Sequence, residues 1–278
     1  DVWVITDSTF MLPEPQSQPG FFEGWYSDNG RYLGGSGERI TPAGDLECHP
    51  QWTPFGTMAD GLGLRIISYS VTGADDSVII PDTISNKRVY AVGSGAFDGC
   101  YMVRNVTIPE SVIRIEDGAF RNMNALASVS VDVANSSYRD IGGVVYSKDG
   151  SELVCCPGAF GSVLEVSKSR LLFHPYSIPE SISTLRVMGD VKEMIFAPYS
   201  HSRTLSIVLE TEGAYTPTGV FEDPDFGGTP IDIIQSSGSE KHYYIQTSAS
   251  ISLSSLEAAV VVLAMVLSVT ICLLVDRT

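Results

Sequence analysis

The chain's reactive side chains are thinly spread. Four histidines, His49, His174, His201 and His242, stand far apart, and none falls in the His-x-x-x-His or His-Glu-x-x-His spacing that sets two imidazoles around a zinc ion. Five cysteines, Cys48, Cys100, Cys155, Cys156 and Cys272, include no Cys-x-x-Cys pair for metal binding or thiol exchange. Strand neighbours point to opposite faces, so a bond between Cys155 and Cys156 would be strained. The cysteines read as small buried residues, with Cys272 facing lipid. No Gly-x-Ser-x-Gly elbow is present. The "GGSG" at Gly34 to Gly37 lacks the Gly-Lys-Ser/Thr of a phosphate loop and reads as a turn. Glu222, Asp223 and Asp225 lack the spaced Asp-x-Asp-x-Asp-Gly of a calcium loop and read as a solvated acidic turn. The expectation is a non-enzyme with no catalytic residue, no metal and no cofactor.

The elements that would position any site carry a stronger signal. "VGSGAFDGC" and "IEDGAFRNM" place Gly95-Ala96-Phe97 and Gly118-Ala119-Phe120 at an offset of 23 residues. The same offset maps Val89 on Val112, Val92 on Ile115, Val103 on Leu126, Val106 on Val129 and Ile108 on Val131. A matched apolar frame around a tripeptide is a repeat, and periods of about 20–29 residues with L-x-x-L-x-L cores build stacked coils. Each copy supplies one short strand, with Val106 and Ile108 inward and Asn105 and Thr107 outward, followed by Ser128 and Ser130 on the next rung. Phe97 and Phe120 are expected to stack as fillers beneath the strands, each stabilising by about 1.5–3 kcal/mol on burial. The Gly-Ala before each ring allows a tight turn.

"IPESVIRIEDGAFRN" and "IPDTISNKRVYAVGSGAFDGC" resemble the BspA-like class of leucine-rich repeats, from about Val78 to Val131. The extra "ISNKR" of the first copy reads as a loop. After Val131 the period breaks, and "VDVANSSYRDIGGVVYSKDGSELVCCPG" resembles the hairpin-bearing repeat of that family, with strands Val144 to Tyr146 and Leu153 to Cys155 around Lys148-Asp149-Gly150. The third Gly-Ala-Phe, Gly158 to Phe160, is off register and reads as a loop. "IPESISTL" and "VKEMIFAP" keep the composition without the spacing, and Leu205 to Leu209 is one more strand candidate. "TPTGVFEDPDFGGTP" is suited to capping the open end of the ladder.

Upstream, Leu12, Pro13, Pro15, Pro19, Gly20, Gly24, Trp25, Tyr26 and Trp52 fit a frame similar to the Listeria-Bacteroides repeat, a small β-rich extracellular module. Phe10, Phe21, Trp25, Tyr26 and Trp52 are its candidate core. The family's opening strand would precede Asp1, which reads as a start inside a longer polypeptide. At the far end, Ala258 to Val275 carries no charge and, as a helix, spans about 27 Å, close to the roughly 30 Å hydrocarbon layer. The expected fold is thus mainly β: a leucine-rich repeat solenoid of the irregular BspA-like type, preceded by a small β-rich module and followed by one transmembrane helix. The boundaries are 1–55 for the module, 62–234 for the solenoid with hairpin insertion and cap, 235–255 for a Ser-rich stalk and 256–275 for the helix.

A formal charge of −16 repels phosphate backbones, so nucleic acid is excluded as a partner. The family resemblance implies a single-pass protein of the cell membrane, mostly extracellular, that mediates adhesion or recognition. Its partner would be a protein or glycan on another cell, matrix or envelope. The expected contact set is Asn105, Thr107, Ser128 and Ser130, with Tyr101 and Arg104 at the rim. Asn105-Val-Thr107 and Asn135-Ser-Ser137 are glycosylation candidates. A structural spacer without a specific ligand, and a non-catalytic part of a larger surface enzyme, remain the alternatives.

Overall fold

Alternating side chains on short parallel strands build the ladder that the repeat frame predicts. The computed structural model describes residues 3–5, 9–16, 18–70, 76–167, 170–188, 193–196, 204–210, 220–221, 229–235 and 240–245. Among them the fold is mainly β, with no helix, and forms a leucine-rich-repeat-like solenoid of about six turns. The expected transmembrane segment, 256–275, lies outside the described residues. No described helix is long and apolar enough to cross a membrane.

On one face of the first half, Ser77–Ile79, Asn105–Ile108 and Ser128–Val131 run parallel, with Asn105 opposite Ser77 and Ser128. On a second sheet, Gly63–Tyr69, Lys87–Val92 and Arg114–Ile115 are parallel neighbours. The Gly-Ala-Phe turns stack on each other: Gly95 N–H donates to the Gly118 carbonyl (3.1 Å) and Phe97 N–H to that of Ala119 (3.1 Å). Both glycines have positive φ, 65° and 69°, a conformation that other residues adopt at a cost. Beneath the strands, Phe55, Tyr69, Phe97 and Phe120 form one aromatic column with successive centroid separations of 5.2, 5.4 and 5.3 Å.

Tyr138–Ile141, Val144–Ser147 and Glu152–Cys155 form the expected insertion, antiparallel around Gly142-Gly143 and around Lys148 to Gly150. The parallel ladder then resumes. Val163–Val166, Thr184–Met188, Leu205–Glu210 and Thr229–Gln235 pair in register, with Val163 opposite Thr184 and Thr184 opposite Ser206. The spacing that the reading lost after Val131 therefore returns, at offsets of 21 and 22 residues. The apolar interior is two clusters, one running from Phe55 to Cys155 and one from Val144 to Ile233. Cys155 joins the first and Cys156 the second, so opposite-facing neighbours serve different cores. Burial pushes the Cys155 thiol up to about 12 and raises that of Cys156 too, as suits inert packing groups.

Several expectations are corrected. "ISNKR" is a tight β-hairpin, Thr83–Ile84 against Lys87–Val92, turning on Ser85 and Asn86 at φ 52° and 56°. Phe55–Asp60 pairs antiparallel with Gly63–Tyr69, and Phe55 packs in the cluster that runs on to Cys155. Residues 240–245, read as stalk, form a strand antiparallel to Thr229–Gln235, whose other edge pairs with Leu205–Glu210. In the front module, a strand Trp3–Ile5 stands at the sheet edge, antiparallel to Leu46–Thr53. That module's core is Leu12, Trp25 and Cys48 with Phe10, Phe22, Leu33 and Ile40 packed against them. Phe21 is exposed, while Trp52 joins by an edge contact with Phe22. Trp25 is anchored by a bond from Nε1 to the Pro13 carbonyl (3.0 Å). The module meets the ladder where Ser85 N–H donates to Glu23 Oε1 (3.1 Å) and its hydroxyl to the Glu23 carbonyl.

Candidate recognition face

The outward face of the first parallel sheet is built by parity. Val106, Ile108 and Val129 are buried, which turns Asn105, Thr107, Ser128 and Ser130 away from the core. Register then aligns them into two rows, Asn105 beside Ser128 and Thr107 beside Ser130. Asn105 and Ser130 are exposed, and Thr107 and Ser128 half-buried. Asn105 Nδ2 donates to Ser77 Oγ across 3.3 Å, so the row extends to a third strand. Tyr101 and Arg104 are exposed in the segment leading into the strand Asn105–Ile108.

Ser77 and Ile79 belong to the same two rows and were missed. Ile79 is 73% exposed, the apolar member of an otherwise polar face. The signal was available in "SVIIP" against "NVTIP", which repeats one strand ahead of the first Gly-Ala-Phe.

Asn135, the other glycosylation candidate, is turned into the fold. It is wholly buried, with Nδ2 donating to the carbonyls of Pro109 (2.7 Å) and Val112 (2.8 Å), and Oδ1 accepting from the N–H groups of Ser137 and Tyr138. The atom that would carry a glycan is thus spent inside the fold, as a brace between successive turns. Asn105 keeps its side chain at the surface.

Gly34 ends the strand Tyr32–Gly34 and the chain turns after it, with Gly37 N–H donating to the Leu12 carbonyl (2.9 Å). Glu222, Asp223 and Asp225 lie outside the described residues, as do His201 and Cys272. Cys48, Cys100, Cys155 and Cys156 are all buried. His174 sits where turns meet: Nδ1 bonds Asp117 Oδ1 and Nε2 bonds Glu152 Oε2, both at 3.0 Å. The bond to Glu152 is the main cause of a raised His174 pKa, and it lowers that of Glu152 in return.

Residues 76–151 match the family described as BspA type leucine rich repeat region (6 copies). No curated protein matches the chain. Among solved structures, a leucine-rich repeat protein from Eubacterium ventriosum is similar at 18% identity and a TM-score of 0.34, over 50% of this chain and 43% of that one. The pneumococcal vaccine antigen PcpA is similar at 11% identity and a TM-score of 0.29, over 55% of this chain and 73% of that one. A leucine rich cell surface protein from Faecalibacterium prausnitzii is similar at 20% identity and a TM-score of 0.24, over 44% of this chain and 35% of that one. The chain spans under half the length of the Eubacterium protein.

Proposed function

We propose that the chain is a non-catalytic repeat protein of the cell surface that holds a protein or glycan through the outward face of Ser77–Ile79, Asn105–Ile108 and Ser128–Val131. The observation that carries this reading is the register of that face. Six side chains, Ser77, Asn105, Ser128, Ile79, Thr107 and Ser130, stand in two rows on three strands, small and polar around one exposed isoleucine. Such a face offers many weak contacts on a rigid support. Tyr101 and Arg104 add an aromatic ring and a cation, the side-chain types that dominate binding energy in interfaces. Attachment to the membrane by a single helix over 256–275, with the ladder outside the cell, completes the proposal. It rests on the uncharged run from Ala258 to Val275.

The test is to display the chain against a panel of matrix proteins, glycans and cell-envelope polymers, and to repeat it with Thr107→Glu and Ser130→Glu combined. The expected result is capture of one ligand class by the parent and its loss in the double variant, with thermal stability kept. Capture that the variant retains removes this face from consideration. An intact-mass measurement adds a control, because a glycan at Asn105 would stand on the same rows and obstruct them.

A further inference from the structure

We propose that the chain binds divalent transition-metal ions of zinc's class at two surface sites of one design, Asp28 with Glu47 and His49, and Asp232 with Glu240 and His242. In the first, Glu47 and His49 are two apart on the strand Leu46–Thr53, so they share a face, and the wholly buried Cys48 between them marks the other. Asp28 follows the neighbouring strand Phe21–Ser27, whose Ser27 pairs with Cys48. In the second, Glu240 and His242 are two apart on Glu240–Ile245, and Asp232 lies directly opposite His242. The same donor order, Glu-x-His on one strand and Asp from the next, thus recurs in two unrelated modules.

In each group one donor atom from every residue lies within 4.8 Å of the others. Within each group the aspartate already meets the imidazole, Asp28 Oδ1 with His49 Nε2 at 2.5 Å and Asp232 Oδ1 with His242 Nδ1 at 2.6 Å. The exposed glutamate is the arm that completes the set. An ion with bonds of about 2.0–2.2 Å holds donors about 3.3–4.4 Å apart, so side-chain rotation alone fits the group around it. One imidazole and two carboxylates suit zinc and its neighbours. Calcium takes about 6–8 oxygens and magnesium keeps several waters, and neither favours a nitrogen donor. Two carboxylates balance the charge of the ion, and the chain's formal −16 draws cations toward its surface. Three protein donors leave a coordination position to water or to a group on a partner.

The experiment titrates the full chain, stripped by a chelator, with zinc chloride against a chromophoric competitor at neutral pH. Two equivalents are expected, one lost in His49→Ala, one in His242→Ala and both in the double variant, with Glu47→Gln and Glu240→Gln weakening their own sites. An unchanged far-UV circular dichroism spectrum shows that the variants fold. Absence of uptake up to about 1 mM zinc, or uptake that survives in the double variant, overturns the proposal. A single equivalent removed by only one replacement overturns the assignment of the other group.

Discussion

The ring of Phe120 lies 5.3 Å from that of Phe97 with 23° between their planes, and Phe97 stands in the same relation to Tyr69, at 5.4 Å and 29°. The 23-residue offset is therefore written in the interior as well as in the strands. Phe97 is wholly buried, while Phe120 keeps 8% of its surface. Phe97→Ala is expected to cost about 3–5 kcal/mol, with Phe120→Ala toward the lower end. The rings touch, so the double variant should fall short of the sum by about 0.5–3 kcal/mol. Urea unfolding of the four proteins measures all three quantities.

How far this was legible in the sequence depends on whether the signal was local. The pairing of Phe97 with Phe120 follows from two identical tripeptides, and the outward rows follow from the parity of Val106 and Ile108. Tyr69 and Phe55 join the column from a hairpin that carries no Gly-Ala, so nothing in their neighbourhood marks them as fillers. The later rungs were hidden because Tyr138–Ile141 and Val144–Ser147 interrupt the count, after which pairing restarts at Val163. The acidic groups around His49 and His242 were legible only by half. Glu-x-His is local, but Asp28 and Asp232 arrive through cross-strand register, which depends on how the whole sheet pairs.

Asn135 is the polar brace of the ladder, and its removal should be costly for its size. Asn135→Ala leaves the carbonyls of Pro109 and Val112 and the amides of Ser137 and Tyr138 without their present partner. Each unsatisfied buried group costs about 1–3 kcal/mol, and some will relax onto water. A loss of roughly 3 kcal/mol or more is expected in chemical denaturation. Asn135→Asp should not rescue it, since a carboxylate keeps the acceptor and forfeits both donated bonds. Peptide mapping of native material should find Asn135 unmodified.

The bridge through His174 gives stability a definite pH dependence. Its pKa is raised, chiefly by the bond to Glu152 with Asp117 adding to it, so its contribution is full below the unfolded value of about 6.5 and fades as pH rises through the folded value. Glu152 is lowered, chiefly by the bond to His174 and against the opposing charge of Asp149, so its contribution is full above about 4.3 and fades as pH falls through its folded value. His174→Gln removes the titration and keeps a polar side chain. The difference in urea midpoint between parent and variant should therefore be greatest from about pH 4.3 to 6.5 and shrink on both sides. A difference that grew steadily with pH would contradict the bridge.

The two Gly-Ala-Phe turns, alike in sequence, should differ when their glycines are replaced. Gly95 and Gly118 share positive φ, and an L side chain there costs about 1–2 kcal/mol in either turn. The surroundings then separate them. A Cβ on Gly95 would meet nothing nearer than the Arg121 guanidinium at 3.5 Å, an ordinary contact. On Gly118 it would meet Tyr176 Cδ2 at 3.1 Å and Arg121 Cδ at 3.4 Å, and Tyr176 is itself at φ 60°. Gly118→Ala must therefore displace a ring whose backbone is already constrained, whereas Gly95→Ala carries only the backbone cost. The larger loss of thermal midpoint is expected for Gly118→Ala, and Tyr176→Ala should narrow the gap by removing the ring that causes it. Equal losses in the two turns, with Tyr176 intact, would show that the second turn yields without resistance.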